Sequence, residues 1–140
     1  MSTVGIGVDI VAISEFVQQF DMPGSVFIRS FSAAELRRAR ERSAHTGRSP
    51  EWHLAARWAG KEAFIKAWSI ALLGQAPPLR ECDMSEIEVI SDAYQRPYIR
   101  LCGAVEQAFY AQYPHGATLI SLSHDGDIAC AYVHILDRGV

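Results

Sequence analysis

An aspartate inside an apolar, glycine-containing segment is the feature that most constrains how this chain folds. The segment reads Gly5-Ile6-Gly7-Val8-Asp9-Ile10, with an apolar side chain at every second position. This alternation predicts a β-strand in which Gly5, Gly7 and Asp9 share a face, and glycine in a strand often marks close approach by a ligand or another backbone. A buried carboxylate is costly unless it is paired or binds a cation. Asp9 is therefore either a metal ligand or a structural hydrogen-bonding residue at a strand end.

A second carboxylate lies in the longest helical stretch, predicted over 51–73. Glu62 and Lys66 are four residues apart, so they share a helix face. The alternatives are an ion pair on a solvated face and a site at which Glu62 binds a metal and Lys66 a phosphate. Mg²⁺ commonly takes one or two carboxylates together with substrate phosphates. Asp9, Glu62 and Lys66 therefore predict a magnesium site that handles phosphate.

The remaining periodicities and turn signals predict a single α+β domain over 1–140, with an antiparallel sheet packed against a long helix. Ser32 and Glu35 form a capping box, and Asp125-Gly126 between two apolar runs indicates a hairpin. The predicted order is strand 4–11, helices 15–20, 33–42 and 51–73, strands 87–91 and 98–101, helix 103–113, and strands 118–124 and 128–136.

Composition excludes several classes of protein. Thirteen basic against sixteen acidic residues give a net charge of −3, which argues against a generic nucleic-acid partner. The three cysteines include no CxxC pair, so neither zinc nor a disulfide framework is indicated. No apolar run reaches the length of a membrane span, and no signal peptide is recognisable. We therefore expect a cytoplasmic protein that binds neither a membrane nor a nucleic acid.

Further polar residues are candidates for binding. His124 follows an apolar strand and is either structural or a ligand-binding group at the sheet rim. Arg57 precedes Glu62 on the same helix, and Arg37 and Arg38 belong to a basic run in the preceding helix. A solvated helix face is the alternative to a role in binding coenzyme phosphates or an acidic partner.

Three segments in order resemble the holo-acyl-carrier-protein synthase family of 4′-phosphopantetheinyl transferases. They are Gly5-Ile6-Gly7-Val8-Asp9-Ile10-Val11, Ala56-Arg57-Trp58-Ala59-Gly60-Lys61-Glu62-Ala63-Phe64-Ile65-Lys66-Ala67 and Ser121-Leu122-Ser123-His124. The length is similar to that of the small, single-domain type. The resemblance implies the corresponding fold and transfer of phosphopantetheine from coenzyme A to a serine of an apo acyl carrier protein, releasing adenosine 3′,5′-bisphosphate.

The resemblance also implies roles for the candidate residues. Asp9 and Glu62 would bind Mg²⁺, Glu62 and Lys66 would be catalytic, and Glu62 is the candidate general base. Arg57, Lys66 and His124 would contact coenzyme A. The small family members carry their sites between the protomers of a trimer, so a homotrimer is implied here.

The chain departs from the family pattern at three places. Trp68-Ser69-Ile70 stands where the family often has Gly-Thr-Gly, and 92–97 lacks the usual turn glycine, which predicts a different turn type. The first predicted helix has no arginine for the acidic carrier, so we expect docking on Arg29, Arg37 or Arg38. Two other functions remain open: a magnesium-dependent hydrolase of nucleotide or coenzyme pyrophosphates, and a non-enzymatic trimeric module that binds a nucleotide.

Overall fold

The computed structural model describes residues 1–139 and confirms the predicted α+β class and element order. The strands and helices are β1 Ser2–Ala12, α1 Ile13–Asp21, α2 Ala33–Thr46, α3 Pro50–Ala71, β2 Ile87–Ser91, β3 Pro97–Leu101, α4 Gly103–Gln112, β4 Gly116–Asp125 and β5 Ile128–Asp137. Two short 3-10 helices, Phe27–Ser30 and Met84–Glu86, precede α2 and β2. Among the residues described, no helix combines the length and the apolar character needed to cross a membrane.

The strands form two antiparallel ladders. The larger sheet has the order β1-β5-β4, and the second consists of the hairpin β2-β3. Asp9 lies opposite Ala131 of β5, while His124 on β4 lies opposite Ala129. Asp9 and His124 are consequently on the two outer strands of the same sheet, separated by β5.

The long helix α3 packs directly on the glycine face of β1. A Cβ atom at Gly5 would collide with the carbonyl oxygen of Ala67, and one at Gly7 would collide with that of Ala63. The close approach that the glycines predicted is therefore made by another backbone. The absence of side chains at these positions brings α3 near enough to β1 for Lys66 of α3 to contact Asp9.

The other face of the larger sheet is apolar and exposed. The outward side chains of β1 include Ile6, Val8 and Ile10, and the last of these is 67% exposed. Leu119 of β4 and Tyr132 of β5 are also exposed, as is Ile128 at the start of β5. We call these six residues the outer sheet face.

Two local features bear on the sequence expectations. The first helix begins at Ile13 rather than at the predicted residue 15, so Ser14 lies inside its first turn, where its backbone N–H donates to Oδ1 of Asp127 at 2.9 Å. The change of turn type expected between β2 and β3 stays a prediction. Gln95 stands at the position of the usual glycine and itself adopts the left-handed conformation, with φ 64°.

Candidate active site

Asp9, Glu62 and Lys66 come together where β1 crosses α3. The Nζ atom of Lys66 donates to Oδ1 of Asp9 at 3.0 Å and to the carbonyl oxygen of Val8 at 3.1 Å. Asp9 is 15% exposed and Lys66 is 54% exposed, so the carboxylate lies inside the site and the ammonium group at its edge. The spacing of Glu62 and Lys66 by one turn places both on the helix face that β1 approaches.

Asp9 and Glu62 both line a cleft of about 270 Å³. Aromatic side chains form part of its wall, and α1 contributes two polar side chains. The aromatic residues are Phe16, Phe27 and Trp58, and the polar ones are Glu15 and Gln19. The cleft can therefore accept a ligand that is charged at one end and has an apolar portion against the aromatic wall.

The electrostatics of the cleft favour a cation beside the carboxylates. Burial raises the pKa of Glu62, the nearby charge of Asp9 raises it further, and Lys66 acts in the opposite direction. A cation between the carboxylates would remove their mutual repulsion. No group of three or more His, Cys, Asp or Glu side chains within residues 1–139 is arranged to hold a metal. The donor set of two carboxylates fits Mg²⁺, which uses few protein ligands and takes further oxygens from phosphate and water.

The sequence reasoning missed the residues from the first helix and the aromatic wall. Trp58 precedes Glu62 by four residues, and Glu15 precedes Gln19 by four, so helical spacing could have placed each pair on one face. Phe27 follows α1 in the first 3-10 helix, and its ring packs edge-on against Trp58 at 4.9 Å. No local periodicity indicates that this short element closes the cleft.

The buried ion pair of Lys61 and Glu35 was also missed. Lys61 is fully buried, and its Nζ atom donates to Glu35 at 2.7 Å and to the carbonyl oxygens of Ile87 and Met84 at 2.6 and 2.8 Å. The ammonium group also lies over the ring of Phe31 at 5.1 Å, and Phe31 contacts Trp58 of the cleft wall. These contacts join α3 to α2 and to the start of β2 directly behind the cleft.

Arg57 and His124 lie outside the Asp9–Glu62 cleft. Arg57 donates from Nη1 to the carbonyl oxygen of His53 at 3.0 Å and lines a separate cleft against α2. His124 is exposed at the end of β4, with its ring edge-on to Trp52 at 4.9 Å. A single chain therefore does not bring the two predicted coenzyme ligands to the carboxylates.

The predicted docking arginines occupy different environments. Two of them are exposed: Arg37 on α2, and Arg29 in the 3-10 helix that contributes Phe27 to the cleft. Arg38 is half-buried, and its Nη1 atom donates to the carbonyl oxygen of Ser91 at 2.9 Å. Arg29 and Arg37 are thus available to a partner, whereas Arg38 is oriented by β2.

Comparison with known proteins gives matches over nearly the whole chain. The sequence model of the 4′-phosphopantetheinyl transferase superfamily matches residues 5–133. The holo-[acyl-carrier-protein] synthases of Mycobacterium bovis and Mycobacterium tuberculosis are each 45% identical over 132 residues, covering 94% of this chain and 95% of theirs.

Solved structures are similar over the same extent. The ACPS–CoA complex of Chronobacterium ammoniagenes superposes with a TM-score of 0.90 at 38% identity, covering 99% of this chain and 100% of that one. The acyl carrier protein synthase of Mycobacterium tuberculosis has a TM-score of 0.74 at 34% identity, covering 98% of this chain and 100% of that one.

Proposed function

Since the chain belongs to the 4′-phosphopantetheinyl transferase superfamily, we propose that it converts an apo acyl carrier protein to its holo form. The 4′-phosphopantetheine group of coenzyme A moves to a serine hydroxyl of the carrier, and adenosine 3′,5′-bisphosphate leaves. The names of the similar mycobacterial proteins and the coenzyme A complex of a similar structure support this reaction. The carrier is a free acyl carrier protein or a carrier domain of a fatty acid synthase.

The observation that carries the proposal is the convergence of Asp9, Glu62 and Lys66 on one cleft. Asp9 and Glu62 would hold Mg²⁺, and the raised pKa of Glu62 supports this, because ionised Glu62 is incompletely neutralised by the chain alone. Bound Mg²⁺ supplies positive charge that orients the pyrophosphate and neutralises the charge developing on it. Lys66, which pairs with Asp9 in the structure, would bind the phosphates of the coenzyme.

Glu62 is also the candidate general base. The serine oxygen attacks the β-phosphorus of coenzyme A, its proton passes to the Glu62 carboxylate, and the bond from that phosphorus to the bridging oxygen breaks. A carboxylate whose pKa is raised by burial is a better proton acceptor than an exposed one. Lys66 places positive charge beside the leaving phosphate, where negative charge increases in the transition state.

We propose a homotrimer in which the coenzyme site is shared between protomers. The outer sheet face supplies an apolar surface for subunit contact. A shared site also accounts for the separation of Arg57 and His124 from the carboxylates, because these residues of one protomer would complete the cleft of its neighbour. In this assembly Asp9, Glu62 and Lys66 act on the pyrophosphate, while Arg57 and His124 bind the same coenzyme from the other side.

The carrier would approach over Arg29 and Arg37. Phe27 lines the cleft and Arg29 is exposed two residues later, so an acidic carrier that inserts its serine into the cleft would meet this cation. Arg37 and Arg38 extend the positive surface along α2. We place the reaction in the cytoplasm, since Cys82, Cys102 and Cys130 are all free thiols.

One incubation separates this function from the hydrolase and the non-enzymatic module. The protein is mixed with coenzyme A, Mg²⁺ and an apo acyl carrier protein, and both the carrier mass and the coenzyme products are measured. A phosphopantetheine-sized mass gain with equimolar adenosine 3′,5′-bisphosphate supports the transferase. Coenzyme cleavage without a mass gain indicates the hydrolase, and intact coenzyme with an unchanged carrier indicates a binding module.

A further inference from the structure

Lys61 immediately precedes Glu62 on α3, and its side chain is completely buried. Its ammonium group donates to Oε1 of Glu35 at 2.7 Å. Two further hydrogen bonds go to the carbonyl oxygens of Ile87 at 2.6 Å and Met84 at 2.8 Å. An ammonium group has three donors, so the chain itself satisfies every donor of Lys61. Lys61 therefore has no donor left for a substrate, and any role in the reaction must act through its neighbours.

The carboxylate of Glu35 is occupied in the same way. Its Oε1 atom also accepts from the backbone N–H of Ser32 at 3.0 Å, and its Oε2 atom accepts from the backbone N–H of Val89 at 3.0 Å. Ser32 caps the N-terminus of α2, and Val89 lies in β2. The ion pair of Lys61 with Glu35 therefore joins α2, α3 and β2 in one geometry.

Stability alone is a poor explanation for a buried ion pair. Taking both charges out of water carries a desolvation penalty that often offsets their attraction, and apolar residues of similar volume are often equally stabilising. This penalty lowers the pKa of Lys61 even though Glu35 lies beside it. A fully hydrogen-bonded polar pair does fix distance and direction, which an apolar contact leaves free. The Lys61–Glu35 pair is thus suited to setting the position of α3.

Glu62 lies between two restraints on α3. Consecutive side chains leave a helix about 100° apart, so Lys61 and Glu62 point to different neighbours. The residue after Glu62 is Ala63, whose carbonyl oxygen makes the close approach to Gly7 of β1. Lys61 anchors the helix on the other side, against α2 and β2. Between these contacts, Glu62 reaches the cleft that it shares with Asp9.

The same ammonium group also supports the aromatic wall of the cleft. It lies 5.1 Å from the centre of the Phe31 ring. The Phe31 ring centre is 6.3 Å from that of Trp58 and 6.2 Å from that of Phe16, and both of these residues line the cleft. One buried cation therefore supports the helix that carries Glu62 and the wall beside it.

We propose that Lys61, oriented by Glu35, is a positioning residue that sets the separation of Glu62 from Asp9. This inference rests on the proposed function, in which these two carboxylates hold the cation. Displacement of an orienting group by about 1 Å can lower a rate by about a hundredfold. The ion pair therefore acts on metal affinity and on kcat, and not only on the stability of the fold.

The test variant combines Lys61→Met with Glu35→Gln, so that neither partner is left as an unpaired buried charge. The control is Val105→Ala, which truncates a buried side chain of α4 that lines no part of the cleft. Crystal structures give the Cα separation of Glu62 from Asp9. Electron paramagnetic resonance gives the affinity for Mn²⁺ with coenzyme A present and the carrier absent. Neither measurement requires transfer.

We expect the double variant to change the Cα separation by about 0.5 Å or more and to bind Mn²⁺ about tenfold or more weakly, whereas Val105→Ala keeps both values. In the carrier assay, kcat should fall by about a hundredfold, with the KM for the carrier nearly unchanged. If the double variant does not fold, Glu35→Gln alone is measured in the same way, since it keeps Lys61 and its carbonyl contacts.

Wild-type separation and Mn²⁺ affinity in the double variant would overturn the proposal and leave the pair as a stabilising contact. Equal losses in Val105→Ala would also overturn it, because general loosening of the core would then explain them. A wild type that does not bind Mn²⁺ would overturn it together with the metal site. If the wild type binds Mn²⁺ but transfers nothing, the proposed function fails, and weaker Mn²⁺ binding by the double variant still supports the positioning role.

Discussion

Ionisation of Glu62 lowers the free energy of unfolding, and this cost is tied to the role proposed for Glu62. Burial and the charge of Asp9 raise its pKa, so the folded state binds a proton on Glu62 more readily than the unfolded chain does. Stability therefore falls as pH rises through the interval between the ordinary and the raised pKa. The cost is absent below the ordinary glutamate pKa of about 4.3 and fully present only above the raised pKa of Glu62.

The first prediction concerns Glu62→Gln. The neutral amide removes the cost of ionisation, so we expect the variant to unfold at a higher temperature than the wild type at pH 7. The difference should shrink on acidification and vanish below a pH of about 4. Thermal unfolding across this range, without Mg²⁺, provides the measurement. A wild type that is the more stable protein at pH 7 would contradict the account of Glu62.

The second prediction concerns Lys66→Ala. Lys66 forms an ion pair with Asp9 at the edge of the site. We propose that its ammonium group stabilises the negative charge that develops on the leaving phosphate. We expect kcat to fall by about a hundredfold or more, with a much smaller change in KM for coenzyme A. Steady-state kinetics at saturating carrier and Mg²⁺ measure both constants. A rise in KM alone would make Lys66 a ground-state binder.

At the scale of elements, the contact between β1 and α3 builds the candidate active site. Gly7 allows the carbonyl oxygen of Ala63 to approach the strand, and this proximity places Glu62 and Lys66 beside Asp9. The Lys61–Glu35 pair holds the opposite side of α3 through two further backbone carbonyls. The geometry of the candidate active site therefore depends on how closely the helix lies to the strand.

The third prediction concerns Gly7→Ala. A Cβ atom at this position meets backbone, which cannot move aside as a flexible side chain would. We expect destabilisation by about 1–3 kcal/mol or more, together with a loss of transfer activity. Chemical denaturation measures the first effect and the carrier assay the second. Gly47→Ala is no suitable control because Gly47 has a positive φ, so Arg40→Ala, at an exposed position on α2, serves instead. Equal stability of Gly7→Ala and the wild type would contradict the close approach.

The sequence predicted the elements well because its strongest signals are local. The capping box at Ser32 and Glu35 is present, and the hairpin closes at Asp125-Gly126 as expected. Asp9, Glu62 and Lys66 could be predicted because each charge interrupts an apolar or small-residue pattern. The burial of Lys61 could not, since its partners come from α2 and from backbone carbonyls more than 20 residues away along the chain. The glycines of β1 also indicated which of its faces is closely approached, but not that α3 is the element that approaches it.

At the scale of the whole molecule, the outer sheet face and the position of Arg57 both lead us to expect contacts between protomers. The apolar side chains of β1 point away from the core, and Arg57 and His124 lie apart from the carboxylates. The proposed homotrimer with shared sites would account for both features. Periodicity within one chain does not encode contacts between chains, so this part of the site could be expected only from the family resemblance.

The fourth prediction uses mixed oligomers to test the shared site. Asp9→Ala and Arg57→Ala are each expected to be nearly inactive, because each removes one side of every coenzyme site. Mixing the two variants after dissociation and reassembly should restore part of the activity, since some sites then receive Asp9 from one protomer and Arg57 from another. Sedimentation confirms that assembly occurs. A mixture that assembles into trimers and remains as inactive as its components would show that both residues act within one chain.

The central claim is that phosphopantetheine transfer takes place at the Asp9–Glu62 cleft. The most direct measurement is the initial rate at which an apo acyl carrier protein gains the mass of phosphopantetheine, with saturating coenzyme A and Mg²⁺. We predict transfer by the wild type and by the exposed control Arg40→Ala, and a rate lower by a factor of about 10²–10³ or more for folded Asp9→Ala. An unmodified carrier with the wild type, or a rate for Asp9→Ala within a few-fold of the wild-type rate, would contradict the account.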